Sequence, residues 1–552
     1  MSGDAHLARA GAKLFAEFPP VSSAAWRAEV EQDLQGTPLE ERLIWETYEG
    51  ISISPYYRSE DIAGLRFARE IPRDVPGVGG IGGGPNEWTI REEIARGEPK
   101  AANEAARRAL ERGAGSLCFV MEPAPGGTRG VVVRSRADMA DLLRGLPLDR
   151  TPICFRTGAC ALPVLALFLT AIDESGANGA QIRGSIDYDP IRDLLATGES
   201  QRSAQAVLAE AGAVLRSGAA SLPCYQVLCV SAEPYLEAGG HAVQELGFSV
   251  AAGVEYLAAA TDAGIPVVVA ARQMEFRFAA ASNYFIEIAK LRAARLLWTQ
   301  VQEAFMARAG AYGVPAPMKV HVRGARYNKT IYGAHGNVFR GATEAMSAII
   351  GGCDSLTLAP FDECYRAPDE VSLRLARNTQ LILKHEAYLA RTIDPGGGSY
   401  YLEWLTDALA RKAWDLLQHV EAEGGLLAAV QAGMVQPMVA EVGEKRRLAV
   451  RSGRDGFVGV NLQPDPEERM ARQVDDSSAV TALGEVRQSF QPDPADLLGS
   501  LRRAFAAGAT LADTAAGMAQ GSPAIVTQPL RARRGAEAIE SHRLAAELEE
   551  PK

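Results

Sequence analysis

The sequence predicts an α/β fold: a closed (β/α)8 TIM barrel with an extended helical N-terminal leader and a helical C-terminal tail. Three observations carry this expectation. From residue 88 onward, short apolar runs alternate with stretches of helical periodicity. The runs number eight, each followed by a helix-like stretch, which suits a closed barrel better than an open doubly wound sheet. The glycine-rich dinucleotide fingerprint is also absent.

In chain order, residues 1–45 read as one or two exposed amphipathic helices interrupted by Pro19-Pro20, with Trp26, Val30 and Leu34 at helical spacing. Residues 45–61 are extended and aromatic. The run GVGGIGGGP (77–85) lacks a Gly-Lys-Ser/Thr ending, so it reads as a surface linker and not a phosphate loop. Strands are predicted at 117–120, 153–156, 182–186, 226–231, 267–269, 319–322, 355–358 and 392–393. Helices are predicted at 137–143, 161–174, 204–217, 238–263, 343–351 and 370–388.

The stretch 264–310 is the most informative. A turn at Gly264 and Pro266 leads into the β-branched run 267–269, then a polar loop carrying Arg272, Glu275 and Arg277, then a long helix over 283–310. Phe285, Ile288, Ala289, Arg292 (by its stem), Leu296 and Val301 are expected to face the core. Glu287, Lys290, Arg295 and Glu303 are expected on a solvated or interface face. After Asp394-Pro395-Gly396-Gly397-Gly398 the pattern turns helical over 400–418. Prolines at 464, 466, 492 and 494 then mark loops, and helices return at 495–507 and 535–548. The implied division is a leader and interaction arm (1–85), the barrel (86–425) and a helical wrapping region (426–552).

The bulk numbers exclude several classes. With 23% charged residues, a net charge of −11 and no Lys/Arg block, nucleic acid is not expected as a partner. No apolar run approaches the roughly 20 residues of a membrane span, and the N-terminus lacks a signal-peptide core. Seven scattered cysteines without zinc-ligand spacing read as buried reduced thiols, so a cytoplasmic protein is expected.

Five segments carry a family resemblance: FIEIAKLRAARLLW (285–298), NEWTIREEI (86–94), NVFRGATEAMSAIIGG (337–352), RLARNTQLILKHE (374–386) and IDPGGGSYYLE (393–403). In that combination and order they resemble coenzyme-B12-dependent acyl-CoA mutases, above all the methylmalonyl-CoA mutase family. The resemblance implies an adenosylcobalamin-dependent isomerase complex that interconverts (R)-methylmalonyl-CoA and succinyl-CoA, with the cofactor carrying the radical chemistry. It also implies two kinds of barrel chain, a catalytic large subunit and a small one.

The catalytic pattern is broken here. The family tyrosine after Thr-Ile-Arg is replaced by Glu93, and the Tyr-His pair after the fourth predicted strand by Glu233-Pro234. Proline offers no donor to a thioester carbonyl. Asp187 adds a carboxylate where an anionic substrate would sit, and the loop after the fifth predicted strand becomes Gln273 to Phe278, including Arg277. His321 persists, but its companion glutamine is Arg323. His321-Val322-Arg323-Gly324 contains His-x-x-Gly, yet Lys319 stands where the cobalamin motif has Asp. No C-terminal cobalamin-binding flavodoxin-like domain is expected, and no cofactor or metal ligand in this chain.

The leader (Phe15 to Ser22, then Trp26 and Val30) is similar to that of the family's small subunit. The resemblance therefore implies a non-catalytic small subunit in a heterodimer, with adenosylcobalamin held by the large subunit. Asp187, Arg277, His321 and Arg323 are its vestigial barrel-mouth residues. Glu93, Glu233, Asp187 and Asp189 are expected to fill or rim the barrel and not to act as acid and base. Arg156, Arg323 and Arg326 could hold phosphate but are expected to pair with carboxylates. Two alternatives remain: a barrel subunit of another B12-dependent acyl-CoA mutase that recruits a separate cobalamin subunit, and a barrel that binds an acyl-CoA as a sensor. Bulky side chains along the axis favour the silent subunit; an open channel favours the alternatives.

Overall fold

The computed structural model describes residues 21–65, 86–95, 97–121, 130–471, 473–474, 485–493, 496–520 and 523–549. The start of the leader (1–20) and the glycine-rich run 77–85 lie outside the described residues. Eight parallel strands form the barrel: β1 (Thr89–Ile94), β2 (Ser116–Val120), β3 (Ile153–Arg156), β4 (Gly184–Ile186), β5 (Tyr225–Gln226 and Leu228–Ser231), β6 (Met274–Ala280), β7 (Lys319–Gly324) and β8 (Ser355–Thr357). β5 closes the ring. Its first segment pairs with β4 and its second with β6, and β8 pairs with both β7 and β1.

A helix follows each strand: α1 (Pro99–Glu111), α2 (Arg136–Leu143), α3 (Ala161–Ser175), α4 (Ala204–Ser221), α5 (Ala242–Asp262), α6 (Tyr284–Arg308), α7 (Gly336–Ile350) and α8 (Glu370–His385). Gly158–Ser175 has the length and composition of a membrane-crossing helix, and 67% of it is buried within the protein. α2 and the tail helices Leu497–Ala506 and Leu511–Met518 pack on α3, which is why it is apolar on nearly every side.

Two predicted strands are misplaced. The valine run is not a strand: Val267–Arg272 is a short helix begun by Pro266, and Val269 is exposed. The strand is β6, the stretch expected to be a loop. Its phenylalanines at 276 and 278 are buried, with Phe276 packed on Trp298 of α6, while Glu275 and Arg277 point into the barrel. Residues 392–393 also form no strand, and the eighth place in the ring belongs to β1. β1 was hidden for the same reason, since Arg91 and Glu93 face inward. Counted correctly, the loop with Asp187 follows β4, Glu233-Pro234 follows β5, and His321 lies in β7.

The polar face of α6 is the third correction. Glu287, Lys290 and Arg295 are buried, the first two against α5 and the end of β6, and Arg295 where it donates to the Met318 carbonyl at 2.7 Å, just before β7. Lys290 donates to both oxygens of Glu245 on α5 (3.0 and 3.1 Å) and to the Ala279 carbonyl (2.7 Å), and it pairs with Glu287 at 2.6 Å. Arg292 bonds Asp394 (2.6 Å) and Glu403 (2.8 Å), fixing the Asp394–Gly398 turn and the start of the tail helix Tyr400–Ala422. Phe285, expected in the core, is instead half-exposed and packs edge-on against Tyr401.

The chain divides into two compact units, one ending at Arg58 and one beginning at Ser59. In the first, the helix Ser23–Asp33 is capped by Ser22, whose side chain accepts from the Ala25 amide, and Trp45–Glu46 pairs with Ser52–Ile53. Trp26 lies 3.8 Å from Tyr56 between ring centroids, so the aromatic extended stretch covers the leader helix.

Candidate functional site at the barrel mouth

Alternation along the strands sends every second side chain toward the barrel axis. In a TIM barrel a substrate lies at the C-terminal mouth of that axis. Here the axis is crossed. Arg91 of β1 donates to both carboxylate oxygens of Glu275 of β6, at 3.1 and 2.7 Å. These strands are three places apart in the ring, so the pair spans the interior. Ser185 of β4 donates to the same carboxylate at 2.9 Å. Burial opposes ionisation of Glu275, but Arg91 and the neighbouring Arg277 outweigh it and hold the carboxyl below its usual range.

One layer toward the mouth, Glu93 accepts from Arg156 of β3 (3.0 Å) and Arg323 of β7 (3.1–3.3 Å). Arg323 also donates to Glu363 at 2.7 Å. Burial again opposes the charge on Glu93, and the two guanidiniums hold its pKa well below the carboxylate range. A carboxylate so paired is no general base at neutral pH. Arg277 is 2% exposed and lies 3.7 Å from Glu275 and 4.0 Å from Asp187. Its Nε and Nη1 have no hydrogen-bond acceptor among the described residues.

The aspartates after β4 are held by hydrogen bonds from neighbouring loops and helices. Asp187 accepts from the Thr157 amide and hydroxyl (2.8 Å each) and from Arg192 (2.8 Å). Asp189 caps the helix Pro190–Thr197 and accepts from Tyr256 (2.6 Å) and the Ser231 amide (2.8 Å). Glu233 and Pro234 open the short helix Glu233–Glu237, where a proline in the first turn costs no hydrogen bond.

His321 sits inside β7 with Nδ1 2.9 Å from the Ser355 hydroxyl. Burial, reinforced by Arg91, Arg277, Arg156 and Arg323, pushes its pKa well below the ordinary value, so the ring is neutral. The sign follows. With its folded pKa depressed, His321 contributes stability that is complete above about pH 6.5 and lost as pH falls below it. Wild-type stability is expected to drop by up to about 1.4 kcal/mol per pH unit on that arm. Urea denaturation of His321→Asn across the same range should give a shallower arm; an unchanged slope would mean another group titrates.

The sequence profile described as methylmalonyl-CoA mutase matches residues 46–520, the whole barrel included. The chain belongs to the methylmalonyl-CoA mutase family. It is 37% identical to the methylmalonyl-CoA mutase small subunit of Porphyromonas gingivalis, over 83% of this chain and 72% of that protein. It is 36% identical to the small subunit of Streptomyces virginiae, over 83% and 73%. To the large subunit of the same organism it is 33% identical, over 84% and 65%. Methylmalonyl-CoA mutases are isomerases and as a family depend on cobalamin.

Among the described residues, those at the barrel mouth do not fit a corrin. His321, in the one His-x-x-Gly match, is 2% exposed and bonded within the barrel. His335 stacks on Phe361, and His241 caps α5. Among the described residues no group of three His, Cys, Asp or Glu side chains could hold a metal ion.

Of the residues expected at the mouth, Glu93 and Arg323 meet in one network, whereas Arg277 and His321 lie deeper, on the strands. Arg156 and Arg323 pair with carboxylates as expected, and the exposed Arg326 favours the charged forms of Glu237 and Glu363, while its amide donates to Glu237 at 2.7 Å. Arg91 and Glu275 escaped notice as a pair. The available signal was the period-two pattern Ile90-x-Glu92-x-Ile94 and Phe276-x-Phe278, with the opposite charges of each strand in the alternate positions.

Proposed function

We propose that this chain is the small subunit of a methylmalonyl-CoA mutase, silent by itself and stabilising a large subunit that converts (R)-methylmalonyl-CoA to succinyl-CoA. The observation that carries the reading is the Arg91–Glu275 pair across the axis. A thioester threaded along the barrel would have to displace a doubly hydrogen-bonded buried ion pair, with Glu93, Arg156 and Arg323 stacked on it. The departures at Glu93, Glu233 and Pro234 support the same reading, and His321 offers no lower ligand for cobalt. Adenosylcobalamin is therefore assigned to the large subunit. The leader (1–85) and tail (426–552) are assigned to holding that partner, and seven free cysteines suit a reducing cytoplasm.

The test is co-expression. This chain, the large subunit and the co-purified pair are each assayed for isomerisation of methylmalonyl-CoA with added adenosylcobalamin, and bound cobalamin is read from the visible spectrum. Turnover and cobalamin retention are expected in the pair and absent from this chain alone. Turnover by this chain supplied with a stand-alone cobalamin-binding subunit would sink the proposal.

A further inference from the structure

Residues 388–398 connect α8 to the tail helix Tyr400–Ala422, and Leu389–Arg391 packs on α7 and α8. Ala390 and Gly396 are buried, whereas Tyr388 and Ile393 are 60% and 42% exposed. The backbone is strained at two points. Four non-glycine residues among those described have a positive φ, and Tyr388 (57°) and Asp394 (43°) are two of them.

Two side-chain hydrogen bonds hold this segment to the helices beside it. Asp394 Oδ1 accepts from Arg292 Nη1 of α6 at 2.6 Å, and the Gly398 amide donates to Glu403 Oε1 at 2.9 Å. Within the segment, the Arg391 and Gly397 amides close local turns onto the Tyr388 and Asp394 carbonyls. Arg292 also donates from Nη2 to Glu403 (2.8 Å) and from Nε to Thr406 (3.3 Å). One guanidinium therefore pins both the segment and the tail helix. The charges at this pin do not balance, because a single buried cation faces two carboxylates. Burial raises the Asp394 carboxyl to about 6; Glu403 adds to the rise, and Arg292 offsets it only in part.

We propose that residues 388–398 are a pH-sensitive strap between barrel and tail, held on α6 when Asp394 is protonated and released more readily when it is ionised. The protonated acid keeps Oδ1 as an acceptor for Arg292 and no longer repels Glu403. Release also lets Tyr388 and Asp394 leave the left-handed region. The closed value lies above the ordinary aspartate value near 3.8. The proton's contribution to closure is therefore complete below about pH 3.8 and is lost as pH rises through about 6. The strap goes beyond the mutase reading, because it requires no turnover and no cobalamin.

The test is amide hydrogen exchange of the full chain, read by mass spectrometry at pH 5 and pH 7.5 and corrected for the intrinsic pH dependence of exchange. Protection of the hydrogen-bonded amides of Arg391, Gly397 and Gly398 is expected to fall about tenfold between the two. Peptides from β6 serve as the control and should not change. Asp394→Asn keeps the acceptor but cannot ionise, so its strap should differ by less than about twofold between the two pH values. Glu403→Gln, made separately, removes the second carboxylate and should shrink the wild-type fall. Strap protection that stays constant or rises with pH would overturn the proposal. So would a fall of wild-type size in Asp394→Asn.

Discussion

Glu275→Ala is expected to lower the folding free energy by about 3–5 kcal/mol, read by urea or guanidinium denaturation. The substitution removes both acceptors of the Arg91 fork and the acceptor of Ser185, and it takes the nearest carboxylate away from Arg277. Neither guanidinium can shed its proton, so two buried cations would be left facing one another's field. Glu275→Gln, which keeps the shape and one acceptor but no charge, should fall between. The double variant Arg91→Met with Glu275→Leu should recover most of the loss, because replacing both partners removes the desolvation cost along with the attraction. The pH sign is fixed by the lowered pKa of Glu275. Its contribution is present above the ordinary carboxyl value near 4.5 and is lost as pH falls below it. A Glu275→Ala protein within about 1 kcal/mol of wild type would mean that water already solvates the axis, and the crossbar would then be no barrier to a substrate.

Lys290→Met is expected to cost a similar 3–5 kcal/mol at neutral pH, for a different reason. One ammonium serves two buried carboxylates, Glu245 and Glu287, and the end of β6 through the Ala279 carbonyl. Burial raises the Glu245 carboxyl to about 8 even with Lys290 beside it and the carboxylate of Glu287 adding to the rise. Because that folded value lies above the unfolded one, the contribution of Glu245 is complete below about pH 4.5 and is lost as pH rises through about 8. Without the lysine Glu245 has only a proton to neutralise it. The gap between variant and wild type should therefore widen as pH rises through and above about 8, measured as the shift in denaturation midpoint. A gap that narrows over that interval would show that the ammonium is not what holds these carboxylates.

Much of the fold was legible locally. Six of the eight strands fall where apolar runs predicted them, and α6 runs Tyr284–Arg308 within the predicted 283–310. The two misplaced strands fail for one shared reason. Polar residues were assigned to the outside, but in β1 and β6 the inward face holds Arg91, Glu93, Glu275 and Arg277. The apolar half of each alternation was then too sparse to stand out, and Val267-Val268-Val269 drew the assignment away from β6.

The sequence by itself determined the barrel class and the family, and it places Glu93 and Glu233-Pro234 where the resemblance implies a tyrosine and a Tyr-His pair. These are properties of residue type and order, readable one position at a time. Only the tertiary structure decided that Arg91 meets Glu275, 184 positions away, and that Lys290 is buried and not solvated. A charged residue reads the same whether water or a distant carboxylate neutralises it. Which of the two does so depends on ring closure and on α5 and the end of β6 meeting α6 around Lys290, and neither is a local property of the chain.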